Sequence, residues 1–77
     1  MPFKKYIIVG GQPVIFASNL IHADVANQYK EQVDSAGFLI LEHHADRVTV
    51  TCMGESSSLN ISSKPHLDEL LIEKFLS

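Results

Sequence analysis

The feature that most constrains the fold is an apolar run at residues 38–41, Phe-Leu-Ile-Leu, without one polar position. Successive side chains of a β-strand point to opposite faces, so this strand presents apolar groups to both faces of its sheet. Residues 47–52 alternate instead, with Val48, Val50 and Cys52 on one face and polar side chains on the other. The two patterns predict a sheet with one apolar face and a second face that is apolar in part.

Two hairpins connect the predicted strands. Residues 6–9 and 14–17 flank Gly10 and Gly11, and adjacent glycines accept the positive φ angles of a two-residue turn. Pro13 has no amide donor, so it belongs at the start of a strand or on an edge strand. The second hairpin joins residues 38–41 to residues 47–52 through a polar break, and loops of two to four residues all fit, which leaves its register open.

Two helices are expected. The first follows a capping residue at position 18, 19 or 22 and runs to about residue 32, because Val25, Tyr29 and Val33 recur at intervals of four. The second begins near Pro65, whose missing donor costs nothing in a first helical turn. Its apolar positions at helical spacing, expected to face the core, are Leu67, Leu70, Leu71 and Phe75.

These elements define a single α+β domain over residues 1–77 in the order ββαββα. We expect a four-stranded, mostly antiparallel sheet with both helices packed mainly on one of its faces. The serine-rich segment between residues 54 and 64 is expected to be a loop, with Leu59 and Ile61 anchored in the core. At 77 residues, apolar burial nearly cancels the conformational entropy lost on folding, so a monomer would be marginally stable.

Charge and cysteine content exclude several classes of protein. Six basic residues against nine acidic ones give a net charge of -3, and the basic residues are scattered, whereas nucleic-acid binding needs a basic stripe. One cysteine cannot form an internal disulfide, which favours a reducing, cytoplasmic location. No apolar stretch approaches the about 20 residues of a membrane span. We therefore expect no nucleic-acid or membrane partner and no cofactor.

The polar break at residues 42–46 is the most reactive-looking stretch. It offers His43, His44 and Asp46 as candidate metal ligands, beside Glu42. Adjacent residues of a strand point to opposite faces, however, so the two imidazoles converge only if the turn twists them together. A solvated hairpin tip accounts equally well for the polarity, and is the favoured interpretation.

The serine-rich segment is the second candidate site. Ser56, Ser57 and Ser58, with Lys64 just before the second helix, could bind an anionic ligand through hydroxyls, backbone amides and one ammonium group. Serines also satisfy turns and cap helices, and that interpretation is favoured here. Cys52 shares a strand face with Val48 and Val50, which predicts a small core residue rather than a nucleophile. The chain is therefore not expected to be an enzyme.

Three segments, at residues 35–38, 52–59 and 62–68, carry the strings SAGF, CMGESSSL and SSKPHLD. In these strings the chain resembles a group of small uncharacterised bacterial proteins, over about residues 5–72. The resemblance implies a bacterial or phage-derived origin and no particular activity. It also implies that the segment from Cys52 to Leu67 belongs to the folded unit.

The sequence thus predicts a non-enzymatic interaction module that self-associates, because two helices on one face leave the other face of the sheet uncovered. Phe38 and Ile40, or else Leu39 and Leu41, would point away from the helices. The first of these pairs, together with Tyr6 and Ile8, is the predicted interface of a homodimer, and a further protein partner is not identified. The alternative is a regulatory domain that binds a small ligand or metal through the serine-rich segment or the residue 42–46 turn.

Overall fold

The computed structural model describes residues 3–76 and has an α+β fold, a four-stranded antiparallel sheet with two helices. The predicted fold class and order are confirmed, except that the serine-rich segment contains an additional two-stranded hairpin. The elements are β1 (Phe3–Val9), β2 (Gln12–Phe16), α1 (His22–Ala26), β3 (Val33–His43), β4 (Val48–Met53), β5 (Glu55–Ser56), β6 (Ile61–Ser62) and α2 (Pro65–Leu76).

The sheet has the strand order β2-β1-β3-β4, and all neighbouring strands are antiparallel. Gly10 and Gly11 form the first turn with φ angles of 55° and 79°, a combination that side chains with a Cβ disfavour. Pro13 lies in the edge strand β2, where the sequence places it. In the second hairpin the last pair is His43 with Val48, so the register left open by the sequence has a loop at residues 44–47.

The two helices lie on opposite faces of the sheet, so the expectation that both cover one face is wrong. On the face that we call the α2 face, Ile72 packs with Tyr6, Ile8 and Leu39. On the other, the α1 face, Val25 packs in a separate cluster against β1 and β3. All four residues at 6–9 are buried, and because they alternate between the two faces, each face needs a cover.

Helix α1 is much shorter than predicted. It ends at Ala26, Tyr29 is 40% exposed, and Val33 is the first residue of β3, opposite Val9 of β1. The helical spacing of Val25, Tyr29 and Val33 was therefore coincidental, because pairing with β1 recruits Val33 into the sheet. The β5–β6 hairpin adds to the cover of this face through Leu59 and Ile61, the two predicted anchors.

Helix α2 has the predicted start but a different buried face. Asp68 and Ile72 are fully buried, Leu71 is partly buried, and Leu67, Leu70 and Phe75 are exposed, so those three were wrongly predicted to face the core. The helix is rotated so that Asp68 reaches hydroxyl groups of the sheet. The buried face of α2 therefore includes a carboxylate, whereas three of its apolar side chains face outward.

This rotation can be tested with two leucine-sized side chains of α2. We expect Ile72→Ala to lower the free energy of unfolding by about 3 kcal/mol, because it leaves a cavity in the core. Leu70→Ala, at a side chain that is 67% exposed, should change it by less than about 0.5 kcal/mol. Urea unfolding of both variants measures the difference, and equal losses would contradict the observed helix orientation.

Candidate functional site

The α1 face is only partly covered. Helix α1 and the β5–β6 hairpin pack over Ile7, Val9 and Ala36, whereas the other end of the face carries no covering element among residues 3–76. The side chains of Phe3, Phe38, Ile40 and Met53 line an open groove of about 280 Å³ there, and we call these four residues the sheet patch.

The sheet patch is built from three adjacent strands. Phe3 of β1 pairs with Ile40 of β3, and Phe38 of β3 pairs with Met53 of β4, so all four side chains share one face. The rings of Phe3 and Phe38 meet edge to face with their centres 5.9 Å apart. Phe3 and Met53 are 39% and 40% exposed, which leaves an entirely apolar groove open to solvent.

Two opposite charges lie at the two ends of the sheet patch. The Lys5 ammonium is 5.8 Å from the centre of the Phe38 ring and donates a hydrogen bond of 2.6 Å to the carbonyl of Leu20. Glu42 lies on the same face of β3, two residues beyond Ile40, and is exposed. A cation and an anion therefore bracket the apolar groove along the strand direction.

His22, the first residue of α1, packs against Phe38 of the sheet patch. Its Nε2 donates a hydrogen bond of 2.9 Å to the Gly37 carbonyl, which requires the Nε2–H tautomer when the ring is neutral. Its ring meets Phe16 and Phe38 edge to face, with centres 5.4 and 5.7 Å apart. Burial lowers the pKa of His22 because it disfavours the charged ring, and the nearby Lys5 charge acts in the same direction, against the bond to Gly37.

Gly37 is a point of close approach. A Cβ there would lie 2.5 Å from the Met53 carbonyl oxygen, where the chain leaves β4. Gly37 therefore allows that oxygen to approach β3 and still presents its own carbonyl to His22.

A second polar cluster lies on the opposite face, around the buried Asp68. Its Oδ1 accepts a bond of 2.7 Å from the Ser35 hydroxyl, and its Oδ2 accepts bonds from the Tyr6 hydroxyl and, at 2.9 Å, from the Lys64 backbone amide. Within residues 3–76, no buried side-chain nitrogen or oxygen lacks a hydrogen-bond partner. This arrangement ties α2 to β1 and β3 and leaves the carboxylate without free access to solvent.

Burial changes the pKa of two ionisable groups near Asp68. Burial, followed by the hydrogen bond to Asp68, raises the pKa of Tyr6 above its usual value. Burial likewise raises the pKa of the Cys52 thiol to about 12, so the reactive thiolate is scarce near neutral pH. The Glu69 carboxylate accepts a bond of 2.8 Å from the Cys52 backbone amide. Together these contacts give the cluster a structural role.

The predicted interface residues fall on both faces of the sheet. Phe38 and Ile40 line the sheet patch. Tyr6 and Ile8 lie on the α2 face and are buried against α2, so their assignment to the interface is wrong. The alternation of side chains in β1 separates them from the patch, because β1 presents Phe3 and Lys5 there instead.

The predicted metal ligands do not converge. His43 lies at the end of β3, whereas His44 and Asp46 lie in the turn, and all three are exposed. The His44 amide bonds to the Arg47 carbonyl at 2.8 Å and closes that turn. Across residues 3–76 there is no group of three or more histidine, cysteine or acidic side chains placed to hold a metal ion. The hydrogen bond of His44 to Arg47 therefore accounts for a turn in this stretch. The structure does not bring the three predicted metal ligands together.

The predicted ligand residues are used by the fold. The Ser56 hydroxyl is buried and accepts a bond from the Leu59 amide at 3.2 Å, and the Ser58 hydroxyl accepts one from the Ala23 amide of α1 at 3.2 Å. Ser57 is exposed in the turn, and Lys64 contributes its backbone amide to Asp68. Anion binding by these four residues stays a prediction, and two of the hydroxyls already stabilise backbone amides.

Sequence reasoning missed Phe3, Lys5, Glu42 and Met53. Phe3 and Lys5 could have been placed because they lie four and two residues before Ile7 in β1, so their side chains project from the same face as that of Ile7. Met53 could have been placed because it follows Cys52, whose face was assigned. The position of α1 could not be predicted from the sequence pattern, and this position decides which end of the face stays uncovered.

Comparisons of the chain with known proteins found no matching family model, no matching curated protein and no matching solved structure. The resemblance to small bacterial proteins accordingly stays an expectation from the sequence. In the part of the chain that the structure describes, neither helix has the length and apolar character needed to cross a membrane.

The buried carboxylate leads to a prediction for stability. Asp68→Asn replaces one acceptor oxygen by an amide donor that faces existing donors, and we expect a loss of about 3 kcal/mol in the free energy of unfolding. Asp46→Asn, in an exposed turn, is the matched control and should change it by less than about 0.5 kcal/mol. Chemical unfolding measures both, and a small loss for Asp68→Asn would show that the cluster does not hold α2.

His22 leads to a prediction for the pH dependence of stability. Its pKa is lower in the folded chain than the value of 6.5 for a free histidine, so the unfolded chain binds more protons in acid. The contribution of His22 is therefore complete above about pH 6.5 and is lost as the pH falls below that value. Urea unfolding between pH 5 and pH 8 should show a weaker pH dependence for His22→Gln than for the unmodified chain.

The exposed His66 provides the control for this measurement. The same substitution there, His66→Gln, removes a histidine without touching the buried ring, and we expect the loss of pH dependence to be larger in His22→Gln than in this control. An unchanged slope in His22→Gln would contradict the role assigned to the buried ring.

Proposed function

We propose that this chain is a non-enzymatic interaction module that forms a homodimer through the sheet patch. The observation that carries the proposal is an entirely apolar groove on a sheet face that the described chain leaves uncovered. Contiguous exposed apolar surface of this kind marks interaction sites in soluble proteins.

A second copy of the chain fits this surface in charge and size. Lys5 and Glu42 at the two ends of the patch cancel, so two copies can meet without a net repulsion between their patches. A standard interface covers about 800 Å² per partner, about a sixth of the 5035 Å² surface of the described residues. The contact would therefore extend beyond the patch to Leu20 and Thr51, both exposed beside it.

The chemistry of the buried groups also supports a binding role rather than catalysis. The Cys52 thiol is buried with a raised pKa, and the Asp68 carboxylate has its acceptors occupied. A lone buried thiol also suits a reducing compartment, and we include a cytoplasmic location in the proposal.

Sedimentation equilibrium tests this function. We expect a monomer–dimer equilibrium in about the micromolar range, because the patch is small. Ile40→Glu places a charge in the middle of the patch and should make the protein monomeric. Leu70→Glu, at an exposed apolar residue of α2 on the opposite side, is the matched control and should leave the equilibrium unchanged. A protein that stays monomeric at concentrations up to about 1 mM would overturn the proposal.

A further inference from the structure

The α1 face has a step along the strand direction. At one end, α1 and the β5–β6 hairpin rise above Ile7, Val9 and Ala36. At the other end, the sheet patch lies at the level of the sheet itself. A packed layer on a sheet is about 10 Å thick, so the raised end limits how a second flat face can approach.

The step selects between two kinds of two-fold axis. If the axis runs along the strands, the raised layer of each copy faces the raised layer of the other, and the two patches are held apart. If the axis runs across the strands, the raised layer of each copy lies beyond the far end of the partner's sheet, near its residue 44–47 turn. Only the second arrangement brings the two sheet patches into contact.

The charges select the same axis independently. Lys5 pairs with Phe38, and Glu42 lies four residues further along β3, about 13 Å away at about 3.3 Å per residue. An axis across the strands reverses this direction and places Glu42 of each copy opposite Phe38 of the other, beside Lys5, whose ammonium lies 5.8 Å from the centre of that ring. An axis along the strands would instead place the two Glu42 carboxylates side by side, which is repulsive.

We infer that the homodimer is built about a two-fold axis that crosses β1, β3 and β4 at the level of Phe3, Ile40 and Thr51. These residues are cross-strand neighbours, so each meets its own copy at the axis. The strands of the two facing sheets run in opposite directions, and two Lys5–Glu42 pairs close the ends of the interface. This inference rests on the proposed self-association, and it specifies the partner and the arrangement.

Charge reversal tests the arrangement. In Lys5→Glu both end pairs become acid–acid, and in Glu42→Lys both become base–base, so we expect each variant alone to dimerise at least about fivefold more weakly. An equimolar mixture of the two variants restores two attractive pairs in the heterodimer, and so does the double variant K5E/E42K in its homodimer. Sedimentation equilibrium measures all four samples, and urea unfolding of each variant checks that it is folded.

The outcomes separate the inference from the proposed function. Weakened single variants with a recovered mixture and a recovered double variant support the axis across the strands. A dimer whose strength is unchanged in both single variants, or a mixture that does not recover, overturns this axis and leaves the self-association intact. A monomeric unmodified chain overturns both.

Crosslinking provides a second measurement that does not depend on charge. Thr51→Cys lies at the axis and should crosslink to its own copy with a short bis-maleimide. Thr49→Cys is the matched control on the same strand and face, two residues away, so the thiols of the two copies lie much farther apart and should react poorly. The native thiol is buried, so the unmodified chain gives the background. Equal crosslinking of the two variants would contradict the inferred axis.

Discussion

The structure depends on burying both faces of one strand. Residues 6–9 are apolar in succession and all four are buried, so β1 needs a cover above and below. Helix α2, with 12 residues, covers one face of the sheet. Helix α1, with five residues, covers the other face together with the β5–β6 hairpin. This division covers the α2 face well and leaves one end of the α1 face open. The sheet patch is thus the part of the α1 face that the short layer does not reach.

On the α2 face, a carboxylate decides the orientation of the main helix. Asp68 gathers hydrogen bonds from two sheet hydroxyls and from the amide that precedes α2, so it fixes both the start of the helix and its rotation. Leaving such a group unsatisfied in the interior would cost more than exposing a leucine does. The helix therefore turns Leu67 and Leu70 outward.

The strands, the glycine turn and the edge position of Pro13 could be predicted, because they depend on local alternation and backbone chemistry. The extent of α1 and the inner face of α2 could not, because strand pairing by Val33 and hydrogen bonding by Asp68 are long-range. For the candidate site, the apolar character of Phe38 and Ile40 could be read from the sequence. The separation of Tyr6 and Ile8 from them required the actual strand register.

Both edge strands of the four-stranded sheet, β2 and β4, have a feature that disfavours pairing with a further strand. On β4, the Glu69 carboxylate already occupies the Cys52 amide, and on β2 Pro13 has no amide to offer. An incoming strand would therefore meet a negatively charged side chain at one border and a missing donor at the other. These two features disfavour open-ended, fibril-like stacking of copies through the edges of the sheet.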